Sequence, residues 1–189
     1  MKRLPLAALA IWLLAAPLPA AGDAQEAWAA LVSGGHIALI RHGNAPPGYG
    51  GDPPGFKIDD CATQRNLDEK GRAQARALGE AFRRHGVRPE KILSSPWCRC
   101  LETARLMGLG PVDGTLAVAA SDRSPERLAA MRQLLADWGG PGTLVVVTHA
   151  LTVHGLVGIL PEQAETVVVR PKLGQAPGGA VVGRIPVPQ

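Results

Sequence analysis

The sequence predicts a three-layer α/β/α sandwich with a mostly parallel central sheet. Apolar runs typical of strands alternate along the chain with stretches typical of helices, as expected when helices cover both faces of a parallel sheet. Aromatic residues make up only 4% of the chain, so small and aliphatic side chains carry the apolar content, which suits helices packed closely on a sheet. With 189 residues, the chain has room for one domain with a proper core.

Five apolar runs predict the strands of this sheet. The run over 143–147 is apolar on both faces, as expected of a central parallel strand. The last two runs are expected near the edge of the sheet. The predicted strands are 36–40, 91–93, 143–147, 166–169 and 180–185.

Capping residues, prolines and glycines predict where the helices begin and end. Asp68 can cap a helix that runs to His85. Ser124 and Pro125 open another helix, which ends at the glycine pair 139–140, because Ser caps well and Pro suits the first helical turn. Further helices are predicted over 25–32 and 98–107. The apolar face of the helix after Asp68 is predicted to consist of Ala73, Ala77, Leu78, Ala81 and Phe82.

Residues 1–22 are typical of a secretory signal peptide, with a basic start, a short apolar run and a small-residue end. A membrane-spanning helix needs ~20 apolar residues, and Pro17 and Pro19 interrupt this run near its end. Cleavage is therefore expected, although an uncleaved anchor stays open as the alternative. We expect residues 23–189 to form the mature domain in the periplasm, without stable membrane insertion.

The charge of the chain does not favour nucleic acid as a partner. Removing Lys2 and Arg3 with the signal segment leaves 18 of the 20 basic residues, against 16 acidic residues. The mature domain is therefore near neutral, and its few aromatic residues offer no platform for stacked bases. A positive charge that matters for function must be local.

Polar residues follow three of the predicted strands at their carboxyl ends. Arg41 and His42 follow the first strand, Arg99 follows the second, and His149 follows the third. In an open α/β sheet the carboxyl ends of parallel strands meet at one crevice, where ligands bind. Arginine forks match a phosphate bidentately, and histidines supply a nucleophile and a donor, so a phosphoryl-transfer site is predicted. The alternative for Arg99 is an ordinary pair with Glu102 across one helical turn.

The same residues carry a resemblance to a known family. The segment 40–43 resembles the Arg-His-Gly signature of the histidine phosphatase (phosphoglycerate mutase-like) superfamily. The segment 94–104 resembles the second motif of that family, and 147–149 resembles the third. Residues 64–75 are similar to the stretch between the first two motifs. The resemblance covers about 36–154, and the order and spacing of the motifs are more specific than any one of them.

The resemblance implies a role for each residue of the predicted site. His42 would be the phosphorylated nucleophile, and Arg41 and Arg99 would bind the phosphate oxygens of the substrate. His149 would donate to the phosphoryl group in the transition state, and Asn44 would be a further substrate-binding residue. The resemblance implies no metal and no cofactor.

A phosphomonoester also benefits from a general acid that protonates its leaving oxygen. The family generally places this acid between the second and third motifs, where Asp113, Asp122 and Glu126 are the candidates. We predict Asp122, which lies in a loop just ahead of the Ser124 cap, although a mere turn residue is the alternative. Some phosphohistidine phosphatases of the family need no such acid, because a phosphoramidate is an easy substrate.

The three cysteines fit no zinc-binding pattern, and export would place them in an oxidising compartment where one disulfide can form. As a hypothesis we favour the pair Cys61–Cys98, because each residue lies beside a segment of the predicted pocket. Cys98 and Cys100 are one residue apart on a predicted helix and point to different sides.

These observations predict a periplasmic phosphatase of the histidine acid type, a phosphoric monoester hydrolase. Its substrate would be a small-molecule or glycan phosphomonoester, for which a phosphorylated envelope sugar is one candidate. Two alternatives remain: a non-catalytic phosphate-binding or envelope-interaction module on the same fold, and a phosphohistidine phosphatase. A phosphoglycerate mutase is disfavoured, because its substrates are cytoplasmic.

Overall fold

The computed structural model describes residues 21–47, 51–120, 124–173 and 180–187. The helices are α1 (Ala21–Ser33), α2 (Glu69–Arg84), α3 (Cys98–Met107), α4 (Pro125–Ala136) and α5 (Ala150–Val157). The strands are β1 (Ile37–Arg41), β2 (Pro89–Ser94), β3 (Asp113–Gly114), β4 (Thr143–Thr148), β5 (Thr166–Val169) and β6 (Val181–Ile185). The predicted alternation of strands and helices is therefore confirmed.

All six strands belong to one sheet, in the order β3-β2-β4-β1-β5-β6. Strands β1, β2 and β3 run parallel with β4 or with each other, whereas β5 pairs antiparallel with both β1 and β6. The central strand β4 is buried along its whole length, as its apolar pattern predicts. The mostly parallel sheet is confirmed, with β5 and β6 at one edge.

The core lies in two layers, one on each face of the sheet. Helices α1, α2 and α3 cover one face, and α4 and α5 cover the other. Alternate side chains of β4 serve both layers: Val145 and Val147 pack under the first three helices, and Leu144 and Val146 under the last two. This alternation completes the predicted three-layer sandwich.

Helix α2 begins as its sequence predicts, and Leu78, Ala81 and Phe82 of its predicted apolar face are buried, whereas Ala73 is not. The Asp68 carboxylate accepts a hydrogen bond from the Gly71 N–H at 2.8 Å, which is the expected cap. Ala73, predicted to face the core, is exposed, and Ala75 is buried instead. The reason is the close approach of α3: a Cβ on Gly79 would lie 2.0 Å from the Met107 carbonyl oxygen.

The disulfide hypothesis is confirmed. Cys61 and Cys98 are bonded, whereas Cys100 is a free thiol in the buried part of α3. The bridge ties the loop before α2 to the first turn of α3, next to the predicted site. Within the ranges given above, no helix has the length and apolar character needed to cross a membrane.

Candidate active site

The carboxyl ends of β1, β2 and β4 bring four of the predicted site residues together. Arg41 is the last residue of β1, and its backbone pairs in register with Thr148 at the end of β4. His42 and His149 follow these two strands, and Arg99 lies in the first turn of α3, just beyond β2. All four residues are at most 5% exposed and line one cavity of about 280 Å³.

His42 is held with one ring nitrogen directed to the backbone. Its Nδ1 lies 2.8 Å from the Gly43 carbonyl oxygen, which can only accept, so Nδ1 carries the proton and Nε2 carries the lone pair. Burial, together with the positive charges of Arg99 and Arg41, lowers the pKa of His42 to about 3. The ring is therefore neutral at ordinary pH, which is the form that a nucleophile requires.

Gly43 fixes this arrangement because no other residue fits there. A Cβ at this position would lie 2.5 Å from the Gly71 carbonyl oxygen at the start of α2. Its N–H donates to the Thr103 hydroxyl at 3.0 Å, and that hydroxyl donates to the Arg99 carbonyl at 2.7 Å. The His42 backbone is thus connected to α3, the helix that carries Arg99.

His149 faces His42 across the cavity. The two ring centroids are 5.6 Å apart, with the rings at 71° to each other. The Nε2 of His149 is hydrogen-bonded to the Ser95 hydroxyl at 2.8 Å. Burial, then the proximity of His42 and Arg99, holds the pKa of His149 well below its usual range. Two neutral imidazoles therefore share a cavity whose wall also holds the guanidinium groups of Arg41, Arg65 and Arg99.

Arg99 is oriented by a carboxylate that lies outside the sequence motifs. Its Nη1 donates to Asp52 at 2.8 Å, and both side chains are at most 6% exposed. Its Nε is buried and has no protein partner among the described residues. The alternative pair with Glu102 is not formed, because Glu102 accepts from Arg72 at 2.7 Å.

Asp52 is a residue of the cavity wall that none of the sequence motifs predicts. Its carboxylate accepts from Arg99, from the Arg65 backbone N–H at 2.9 Å and from the Trp97 indole N–H at 3.0 Å. Burial alone would raise the pKa of Asp52, but the hydrogen bonds from Arg99 and Arg65 outweigh it and lower the pKa. One signal was available: Asp52 is the only charged residue of the Gly/Pro-rich stretch between Gly43 and Lys57.

The remaining cavity wall is cationic on one side and apolar at the opening. Arg65 lines the cavity and donates through Nη1 to the Ala45 carbonyl at 2.8 Å. Phe56, Trp97 and Leu151 form the apolar part of the wall, with the Phe56 and Trp97 ring centroids 6.0 Å apart. A small anion with an apolar or ring-shaped substituent would fit this distribution of charge and surface.

Asn44 does not line the cavity, contrary to the sequence-based expectation. Its side-chain amide donates to the Asp68 carboxylate at 2.6 Å, and its backbone N–H donates to Gln74 at 2.8 Å. The close contact between Gly43 and Gly71 carries the chain away from the cavity, so Asn44 serves the start of α2.

The candidate general acids are not in the described cavity wall. Asp113 is exposed on β3, where its carboxylate lies 3.8 Å from Lys91, and Glu126 is exposed in the first turn of α4. Asp122 lies outside the described residues, so its role stays a prediction. Among the described residues, Asp52 is the one carboxylate on this wall.

A family model matches the central part of the chain. Residues 37–114 match the model of the histidine phosphatase superfamily, branch 1. Over this segment the chain is similar to the histidine phosphatase superfamily. The matched segment contains the first two of the three motifs, and the resemblance predicted from them is confirmed. Among proteins of curated function, none matches the chain by sequence.

Solved structures of histidine phosphatases share the fold. The putative phosphohistidine phosphatase SixA from Agrobacterium tumefaciens superposes with a TM-score of 0.54 at 19% identity, covering 79% of this chain and 96% of its own. The protein histidine phosphatase SixA in complex with tungstate gives 0.52 at 16% identity, covering 77% and 92%. A mycobacterial glucosyl-3-phosphoglycerate phosphatase gives 0.52 at 18% identity, covering 71% and 92%. These likenesses concern the fold.

Proposed function

We propose that this protein is a periplasmic phosphatase that hydrolyses a phosphomonoester through a phosphohistidine on His42. The observation that carries the proposal is the state of His42. A neutral ring presents Nε2 in a buried cavity whose wall also holds the guanidinium groups of Arg41, Arg65 and Arg99. Such a site attracts a phosphate dianion and places a nucleophile beside it.

The reaction follows from these groups. Arg41 and Arg99 bind the non-bridging phosphoryl oxygens, and Nε2 of His42 attacks phosphorus as the bond to the alcohol oxygen breaks. A general acid, for which Asp122 is the sequence-based candidate, protonates the departing oxygen. Water then attacks phosphorus and gives a proton back to the deprotonated general acid, while the phosphorus–nitrogen bond breaks; inorganic phosphate leaves and His42 is neutral again. His149 donates to the phosphoryl oxygens as charge develops on them.

The proposed compartment is supported by the N-terminal sequence and by the disulfide. Residues 1–22 have the pattern of a signal peptide, and a Cys61–Cys98 bridge suits an oxidising compartment. Fractionation of cells that produce the full chain tests this part. We expect the protein in the periplasmic fraction, cleaved between Ala20 and Ala24. Retention in the cytoplasm with residues 1–22 intact would contradict it.

A phosphorylated envelope sugar is the substrate class that we favour. The apolar opening with Phe56 and Trp97 can accommodate a sugar ring against an aromatic face, and one structural relative is a glucosyl-3-phosphoglycerate phosphatase. A phosphohistidine phosphatase is the second candidate, because two structural relatives carry that name and a phosphoramidate needs little acid catalysis. Comparing hydrolysis of a sugar phosphate and of phosphohistidine by the same preparation separates the two.

Trapping of the labelled protein in alkaline detergent, after brief incubation with a ³²P-labelled phosphomonoester, tests the mechanism. The wild type should retain acid-labile label, and His42→Ala should retain none and lose turnover while unfolding at a similar temperature. His154→Ala is the matched control, because His154 is an exposed histidine of α5 outside the cavity wall. Turnover by a folded His42→Ala protein would refute the mechanism, and phosphate binding without turnover by the wild type would favour the binding module.

A further inference from the structure

Asp52 connects three separate parts of the site through a single carboxylate. It holds the Arg99 guanidinium of α3, the Trp97 indole just before α3 and the Arg65 backbone of the loop that precedes α2. Its side chain is only 5% exposed, so these hydrogen bonds form away from bulk water, where they are strong and geometrically restrictive. Such a carboxylate fixes the groups it contacts.

The nitrogen of Arg99 that Asp52 holds is the important detail. A guanidinium offers two parallel N–H groups along the edge formed by Nε and Nη2, and this edge matches two oxygens of a phosphate. Asp52 occupies Nη1, and Nε is buried without a protein partner among the described residues. The contact therefore restrains Arg99 through Nη1, and the Asp52 carboxylate takes up neither Nε nor Nη2, the pair of donors that matches a phosphate.

The charges around Asp52 agree with this arrangement. Arg41, Arg65 and Arg99 contribute three guanidinium groups to the described cavity wall, against the single carboxylate of Asp52. The wall thus keeps an excess of positive charge for a phosphate dianion, although one carboxylate is present. Without Asp52, like charges would push the three guanidinium groups apart, and water would compete for Arg99.

We propose that Asp52 is a positioning residue that fixes Arg99 with its Nε–Nη2 edge toward the phosphoryl group, and that holds the Trp97 ring beside it. This role rests on the proposed phosphatase function. It assigns a purpose to a residue that lies outside the three sequence motifs. It also explains why an acidic residue is tolerated within a site for an anionic substrate.

The first experiment measures turnover of p-nitrophenyl phosphate by Asp52 variants. Asp52→Ala should lower kcat by about 10²-fold, the effect of displacing a reacting group by about 1 Å, with a smaller change in KM. Asp52→Asn should lose about 10-fold, because its amide oxygen can still accept from Arg99 but its NH₂ group faces the Trp97 donor. Asp59→Ala, an exposed carboxylate in the same region, is the control and should match the wild type.

A double-mutant cycle then tests whether Asp52 acts through Arg99. In an Arg99→Ala background, Asp52→Ala should change kcat by less than about twofold, because the group that it positions is gone. An equal loss in both backgrounds would overturn the positioning role. A loss for Asp52→Asn that grows as the leaving group becomes more basic would also overturn it, since that pattern identifies a proton donor.

Binding of tungstate, measured by calorimetry, tests the role of Asp52 without requiring that the protein hydrolyse any substrate. Asp52→Ala should bind tungstate at least about 10-fold more weakly than the wild type, because a bidentate contact to the anion becomes disordered. Wild-type affinity in this variant overturns the positioning role, whether or not the protein turns over any phosphate. Failure of the wild type to turn over phosphate, with tungstate binding weakened by Asp52→Ala, refutes only the proposed function.

Discussion

The Arg99–Asp52 and Arg184–Glu165 pairs have equally buried carboxylates. They differ in which nitrogens of the arginine donate to the carboxylate. The carboxylates of Asp52 and Glu165 are 5% and 6% exposed. Arg184 of β6 gives Glu165 its whole fork, with Nε at 2.5 Å and Nη2 at 2.9 Å. Arg99 gives Asp52 only Nη1, at 2.8 Å. Glu165 thus takes both donors of the Nε–Nη2 edge of Arg184, whereas Asp52 takes neither donor of that edge in Arg99.

The difference separates a structural pair from a pair that serves a site. Glu165 also accepts from the Glu162 backbone N–H at 2.6 Å, so the Arg184 pair fastens β6 to the turn that precedes β5. Both residues of the Asp52–Arg99 pair, by contrast, lie on the cavity wall. Burial of an ion pair is thus weak evidence of function, whereas the edge left open is informative.

The largest expected effect comes from replacing each arginine by lysine. Arg99→Lys should lower kcat on a phosphomonoester by roughly 10²–10³-fold, because lysine keeps the charge but loses the two-donor edge. Arg184→Lys should leave kcat within about twofold, since its pair lies outside the cavity wall. Steady-state kinetics on both variants measures the contrast. Near-normal activity of Arg99→Lys would show that Arg99 supplies only a diffuse positive field.

The second effect concerns the free energy of unfolding, to which we expect the Arg184–Glu165 pair to contribute. Arg184→Ala leaves Glu165 without its ion-pair partner at a site that is almost closed to solvent, which should cost about 2 kcal/mol in the free energy of unfolding. The figure lies below the range for fully buried pairs because Arg184 is 37% exposed and water can replace part of it. Urea unfolding of this variant and of Arg184→Lys measures the loss. An unchanged free energy of unfolding for Arg184→Ala would show that this pair does not stabilise the fold.

The smallest expected effect is on the titration of His42. Arg99 helps to lower the pKa of His42 to about 3, so Arg99→Gln should raise this pKa, although burial, the largest cause, keeps it below 6.5. Arg184→Gln should not change it. Because the unfolded chain binds a proton at His42 near pH 6.5 and the folded chain does not, the free energy of unfolding should fall as pH decreases from 6.5 toward 3. NMR titration measures the pKa of His42, and urea unfolding across this pH range measures the free energy of unfolding. A His42 pKa near 6.5 in the wild type would contradict the argument that burial lowers it.

Local sequence signals were sufficient for most of the fold. The bounds of α3 and of β5 match the predicted 98–107 and 166–169, and the Asp68 and Ser124 caps lie where their side chains predict. Caps and apolar periodicity act within a few residues, so they can be interpreted without knowing the tertiary structure. The same holds for His42 and the two arginines, because strand ends indicate where a ligand binds.

Other features depend on contacts that no local pattern encodes. Strand β3 has two residues and exists only through its pairing with β2. Helix α5 contains threonine, valine and glycine, which are weak helix formers, and it is stabilised by packing of Val153, Leu156 and Val157 in the core. The local sequence therefore does not predict either β3 or α5.

Asp52 and Asn44 show most clearly what only the tertiary structure decided. Both lie in the same Gly/Pro-rich stretch, and the sequence assigned Asn44 to the pocket because it follows the Arg-His-Gly motif. In the structure, the close packing of Gly43 against Gly71 turns Asn44 toward α2 and away from the cavity. Asp52 lies 47 residues before Arg99 in the sequence, and the fold brings the two side chains into contact. Glycine and proline permit many paths for a loop, and the path taken is the one that pairs a buried carboxylate with a buried guanidinium.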